Sequence, residues 1–84
     1  MEPYEHIKKV KDLYTESLMK KEHVVGVAIG FSERGGIRTD EMALVVMVNQ
    51  KLPPEALDPN DLIPQEIEGV RVDVQLVGDI RPLT

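Results

Sequence analysis

Hydrophobic and polar positions follow two different periods along this chain. In residues 3–22, Ile7, Val10, Leu13, Tyr14 and Leu18 recur at spacings of three and four, which predicts one amphipathic helix. Pro3 suits the first helical position, where its missing N–H costs nothing, and Glu5 stands at the positive end of the helix dipole. Lys20 and Lys21 fall in the last turn, where cations interact well with exposed carbonyls. Met19 lies off the apolar stripe.

From Val24 the period changes to two. Residues 24–31 read as a strand, with Val25, Val27, Ile29 and Phe31 on one face and Val24, Gly26, Ala28 and Gly30 on the other. The second face is unusually small, and glycine weakens a strand unless something approaches closely. Gly26, Ala28 and Gly30 therefore predict tight packing against a helix or another backbone, and Gly26→Val is expected to over-pack at a cost of about 1–3 kcal/mol. The polar stretch from Ser32 to Asp40 reads as a long hairpin loop in which Gly35 and Gly36 can supply positive φ.

Residues 42–48 form a second predicted strand, apolar on both faces: Met42, Leu44, Val46 and Val48 on one, Ala43, Val45 and Met47 on the other. Such a strand belongs at the centre of a sheet and is covered on both sides. The helix can supply one cover; the 52–67 segment or another subunit is expected to supply the other. Val45 and Met47 thus join Gly26, Ala28 and Gly30 as close-packing or interface residues. The segment from Leu52 to Gly69 holds four of the six prolines and predicts an irregular connection with one or two helical turns, pinned by Leu57, Leu62, Ile63 and Ile67. In residues 70–77, Val70, Val72, Val74 and Leu76 alternate with Arg71, Asp73 and Gln75, which predicts a third strand with one wet face, ended by Gly78. The expected fold is α+β: a single domain over residues 1–84, with an N-terminal helix on a small, mainly antiparallel three-stranded sheet.

Composition narrows the function more than it defines it. The 84 residues carry ten Lys plus Arg against fifteen Asp plus Glu, a net charge of −5, which disfavours nucleic acid and anionic membranes as partners. Zero cysteines exclude disulfides and thiol catalysis. With no Trp, one Phe and two Tyr, the core must be aliphatic. The opening Met1-Glu2-Pro3-Tyr4-Glu5-His6 lacks the basic start and apolar stretch of a signal peptide, and the apolar run at 42–48 is far short of a membrane span, so a cytoplasmic location is expected.

No residue set assembles into a catalytic centre. His6 and His23 stand near opposite ends of the helix, roughly 25 Å apart at about 1.5 Å per residue, too far to share a metal. Asp40-Glu41 and the pair Glu66 and Glu68 read as solvated loop ends, because acid–base work needs carboxylates that converge. Gly35-Gly36 leads through Ile37-Arg38-Thr39 into a strand, whereas a phosphate loop needs Lys and Ser or Thr opening a helix. Ser17 and Ser32 have no nucleophile context, and Lys51 reads as a surface charge. Asp73 is the more interesting acid, in mid-strand on the wet face. The chain is therefore expected to be no enzyme, with neither catalytic residues, cofactor nor metal.

Several stretches in succession carry a resemblance: Val24-Val25-Gly26-Val27-Ala28-Ile29-Gly30, then residues 39–48, then Lys51-Leu52-Pro53, Ile63-Pro64, Glu68-Gly69-Val70, Asp73-Val74 and Val77-Gly78-Asp79-Ile80. This order resembles the N-terminal region of bacterial and archaeal trypsin-like peptidase-related proteins; plant narrow-leaf-type putative proteases look similar in their peptidase region. The resemblance implies a leading domain that precedes a double β-barrel peptidase-like domain. No triad position and no Gly-Asp-Ser-Gly-like loop matches here, so no catalytic residue carries over. The expected role is a non-catalytic accessory or assembly domain whose partner is a C-terminal peptidase-like domain. The alternative is a stand-alone protein-binding module acting as a homo-oligomer.

Overall fold

The computed structural model describes residues 3–77. Helix α1 spans Pro3–Met19. Ile7, Val10 and Leu18 are buried, with Tyr14 packed against them, so the stripe runs 7-10-14-18. Leu13, expected in that stripe, is 63% exposed. It sits one helical step outside an arc that Tyr14 and Leu18 already continue. The helix ends before the predicted Glu22, because His23 takes a left-handed φ of 73° and Val24 N–H turns back onto the Lys21 carbonyl (3.3 Å).

Strands β1 (Val24–Arg34) and β2 (Ile37–Val48) form an antiparallel hairpin longer than expected. The predicted loop at 32–40 shrinks to Gly35-Gly36, with φ of 59° and 81°, the doubly positive turn whose twist suits a two-residue hairpin. Strand β3 (Glu66–Ile67), not anticipated, pairs with β4 (Val70–Leu76) through a turn in which Glu68 and Gly69 both have positive φ. The sheet order is β1-β2-β4-β3, and β4 runs parallel to β2. The sheet is therefore four-stranded and mixed rather than mainly antiparallel and three-stranded, while the α+β class stands. The parallel pair is made possible by the proline-rich crossover with its 3₁₀ turns Pro54–Ala56 and Pro59–Asp61, the second of which docks near the end of α1: Lys21 Nζ donates to the Asn60 carbonyl (2.7 Å) and Glu22 N–H to Asp61 Oδ1 (3.0 Å). The expected strand end at Gly78 and the tail at 79–84 lie outside the described residues.

A bulge sets the faces of β1. Val24 pairs with Val48 and Gly26 with Met47, so Val25 is the extra residue. Beyond it the predicted grouping holds, and only Val24 changes face relative to the sequence reading. Val24, Val27 and Ile29 face α1, whereas Gly26, Ala28 and Gly30 lie on the opposite face. The helix-side core also holds Leu44, Val46, Val48, Val70 and Val72, with Ile63 from the crossover packed on it. Helix and crossover thus cover the same face of β2. The expectation that the 52–67 segment covers the far side is corrected, since that segment follows α1.

On that far face, the space over the small residues of β1 is filled by β2 rather than by a helix. A Cβ at Gly26 would stand 2.7 Å from the Met47 Cε methyl, and one at Gly30 would stand 3.2 Å from Val45 Cγ2. Met47 ends in a flexible thioether that can swing aside, but Val45 is buried and β-branched. Gly30→Val should therefore cost about 1–3 kcal/mol, and Gly26→Ala less than about 1 kcal/mol, in urea unfolding. An equal loss at both positions would contradict this packing.

Candidate interaction edge

Strand order leaves the outer edge of β1 without a partner among the described residues. An eleven-residue edge strand is long, and natural proteins usually blunt such edges with Lys, Pro or inward charges. Between Val24 and Ser32 this edge has none of these, and its bulge at Val25 leaves Gly26 to Phe31 in regular register. Val25 is 37% and Phe31 36% exposed. Beside the edge, on the helix side, an open groove of about 430 Å³ is lined by Tyr4, Lys8, Lys11 and Asp12 of α1 and by Val27, Ile29, Phe31 and Met42 of the hairpin. The Arg38 guanidinium lies 4.5 Å from the centre of the Phe31 ring, fixing the ring at the groove's end.

Behind the edge, a polar cluster on the far face holds β1 in place. Ser32, fully buried, opposes three residues of β2, because Phe31 pairs with Met42 and Glu33 with Arg38. Its Oγ lies 2.7 Å from Thr39 Oγ1 and donates to Glu41 Oε1 at 3.4 Å. The irregularity frees backbone groups of β1, and β4 supplies them across β2. Glu33 N–H donates to Asp73 Oδ2 (3.0 Å), while Gln75 Nε2 donates to the Phe31 carbonyl (3.2 Å) and to Asp73 Oδ2 (2.9 Å). Glu41 meets Arg71 at 3.4 Å and Arg34 at 3.9 Å. The converging acids are thus committed to backbone and guanidinium partners.

A second clamp fixes α1. The Glu68 carbonyl hydrogen-bonds His6 Nε2 at 2.8 Å. Hydrogen bonding to the Glu68 carboxylate, then its charge and some burial, hold the Tyr14 hydroxyl above the usual phenol range. A raised phenol pKa means stability present below the unfolded value near 10 and lost as pH rises through the folded one. Glu68→Gln should bring the Tyr14 titration down, read as tyrosinate absorbance; an unmoved titration would break this assignment.

The sequence-predicted residues fall into place unevenly. Gly26, Ala28, Gly30, Val45 and Met47 share the far face, with register pairs Gly26–Met47 and Ala28–Val45. His6 is engaged by the β3–β4 turn, His23 turns the chain into β1, and Lys51 is exposed. Gly35-Gly36 is a hairpin turn. The groove residues Tyr4, Lys8, Lys11 and Asp12 escaped the sequence reading, their only signal being the helical flank opposite Leu13, while Ser32 and Thr39, read as loop residues, lie in β1 and β2. Among the described residues no group of three or more His, Cys, Asp or Glu could hold a metal, and no helix is long and apolar enough to cross a membrane.

The fold and its open edge define a small helix-on-sheet domain. Residues 9–77 match the NARROW LEAF 1 N-terminal domain, and the chain belongs to that family. The match spans most of α1 and all four strands, and it corrects the resemblance drawn from the sequence. The stretches from Val24 to Val77 belong to this domain and not to a bacterial or archaeal trypsin-like peptidase region. The reason is physical: short apolar strands punctuated by glycine are common to many hairpins, so their succession alone does not separate families. No curated protein matches the chain.

Proposed function

We propose that this domain is a non-catalytic protein-interaction module, acting in the cytoplasm, that takes up an extended segment of a partner along the free edge of β1. The observation that carries the reading is the unblocked edge beside an apolar-floored groove. Main-chain hydrogen bonds along such an edge give affinity, and adjacent pockets sort side chains. The polar cluster supports the non-catalytic part, since Asp73, Glu41 and Ser32 spend their polar atoms on holding β1. The acidic net charge supports a protein partner over nucleic acid.

A fluorescent synthetic peptide of alternating Val and Thr is a suitable probe, with anisotropy as the readout. Phe31→Ser should weaken its binding about tenfold, the loss expected for an aromatic anchor worth more than about 1 kcal/mol. Leu13→Ser, on an exposed helix position away from the groove, should leave binding unchanged. Equal binding by Phe31→Ser and the unaltered chain, both shown folded by circular dichroism, would reject the edge.

A further inference from the structure

We infer that the occupant of the β1 edge is a second copy of this chain, paired antiparallel about Ala28. The inference rests on the reading of β1 as the interaction edge and names its partner. The strand is nearly symmetric in residue size about Ala28. Val27 and Ile29 flank it, then Gly26 and Gly30, then Val25 and Phe31. A two-fold axis through Ala28 keeps each side chain on its own face, so Val27 meets Ile29 of the second copy and Gly26 meets Gly30. The two exposed apolar residues of the edge, Val25 and Phe31, are brought against each other twice. Because Val27, Ile29 and Phe31 face the helix side, those of the second copy enter the groove beside α1, where Tyr4 and Met42 extend the apolar wall. Far-face positions at the seam are Gly, Ala and Gly, so nothing there hinders approach.

Charge agrees with this partner. The chain is acidic overall at −5, yet Lys8, Lys11 and Arg38 stand around this edge with Asp12 and Glu33. Two copies can meet here without concentrating like charge. The antiparallel arrangement also carries Arg34 of one strand toward Glu22 of the other, opposite in sign.

The chain has no cysteine, so single introduced thiols report the register cleanly. Directly opposed Cβ atoms in an antiparallel pair lie within disulfide reach. The test combines sedimentation of the unaltered chain, up to roughly millimolar, with mild oxidation of Ala28→Cys and of Ile37→Cys, an exposed hairpin-tip control. The expected result is a mass that rises toward twice the chain with concentration. Ala28→Cys should cross-link to itself on the order of tenfold faster than the control, as a preformed pair gives a high effective concentration. A monomer mass throughout, with Ala28→Cys no faster than Ile37→Cys, overturns the second copy. A dimer that links through Ile37→Cys instead also overturns it. The Val/Thr peptide separates the two levels: if it still binds a monomeric chain, the edge reading survives without the self-partner, and if it does not, both fall.

Discussion

Leu44→Ala is expected to remove a large share of the domain's stability. Leu44 is fully buried in the central strand, paired with Ile29 on one side and Val72 on the other, and it faces α1. Truncating a buried leucine costs the lost transfer energy plus a cavity term, about 2–5 kcal/mol. The whole reserve of an 84-residue domain is only about 4–13 kcal/mol at roughly 0.05–0.15 kcal/mol per residue. Relief by collapse is poor here, because neighbouring strands hold the backbone on both sides. Urea unfolding should show a large fall in midpoint with little change in slope. A loss below about 1 kcal/mol would mean that the helix does not seat on this strand.

The second large effect belongs to Asp73. Its carboxylate accepts from Glu33 N–H and from the Gln75 amide, and Gln75 in turn reaches the Phe31 carbonyl. Asp73→Ala leaves two donors without that acceptor, at an expected cost of about 1–3 kcal/mol. The functional consequence should be separable from the stability loss. Freed from β4, the outer half of β1 loses its fixed line, so amides around Phe31 and Glu33 should exchange faster while those of Val46 and Val72 keep their protection. Asp73→Asn retains an acceptor oxygen and should lose less than the alanine variant. Equal losses for both would show that the hydrogen bonds do not carry the effect.

Much of this arrangement was legible in the sequence, for identifiable reasons. The stripe of Ile7, Val10, Tyr14 and Leu18 needs only helical spacing, and the alternation of Val70, Val72 and Val74 with Arg71, Asp73 and Gln75 needs only a pleat. The doubly apolar β2 pointed to a central strand, which it is. Within β1 the grouping of Val27 and Ile29 against Gly26, Ala28 and Gly30 was legible, but the face of Val24 was not, because the bulged Val25 puts Val24 on the same side as Val27 and Ile29. The outer hairpin was hidden because Ser32, Thr39 and Glu41 look like loop residues until they meet one another on the far face. The open edge was the least accessible feature. It depends on the crossover placing β4 beside β2, a long-range choice that no local pattern in β1 records.

The central claim is that recognition happens along the outer edge of β1, and amide-resolved hydrogen exchange tests it most directly. With the Val/Thr peptide in excess, alternate amides between Val25 and Phe31, those directed away from β2, should gain protection, while the β3–β4 turn stays as it was. Protection gained at that turn or along the crossover, with the β1 edge unchanged, would contradict the account.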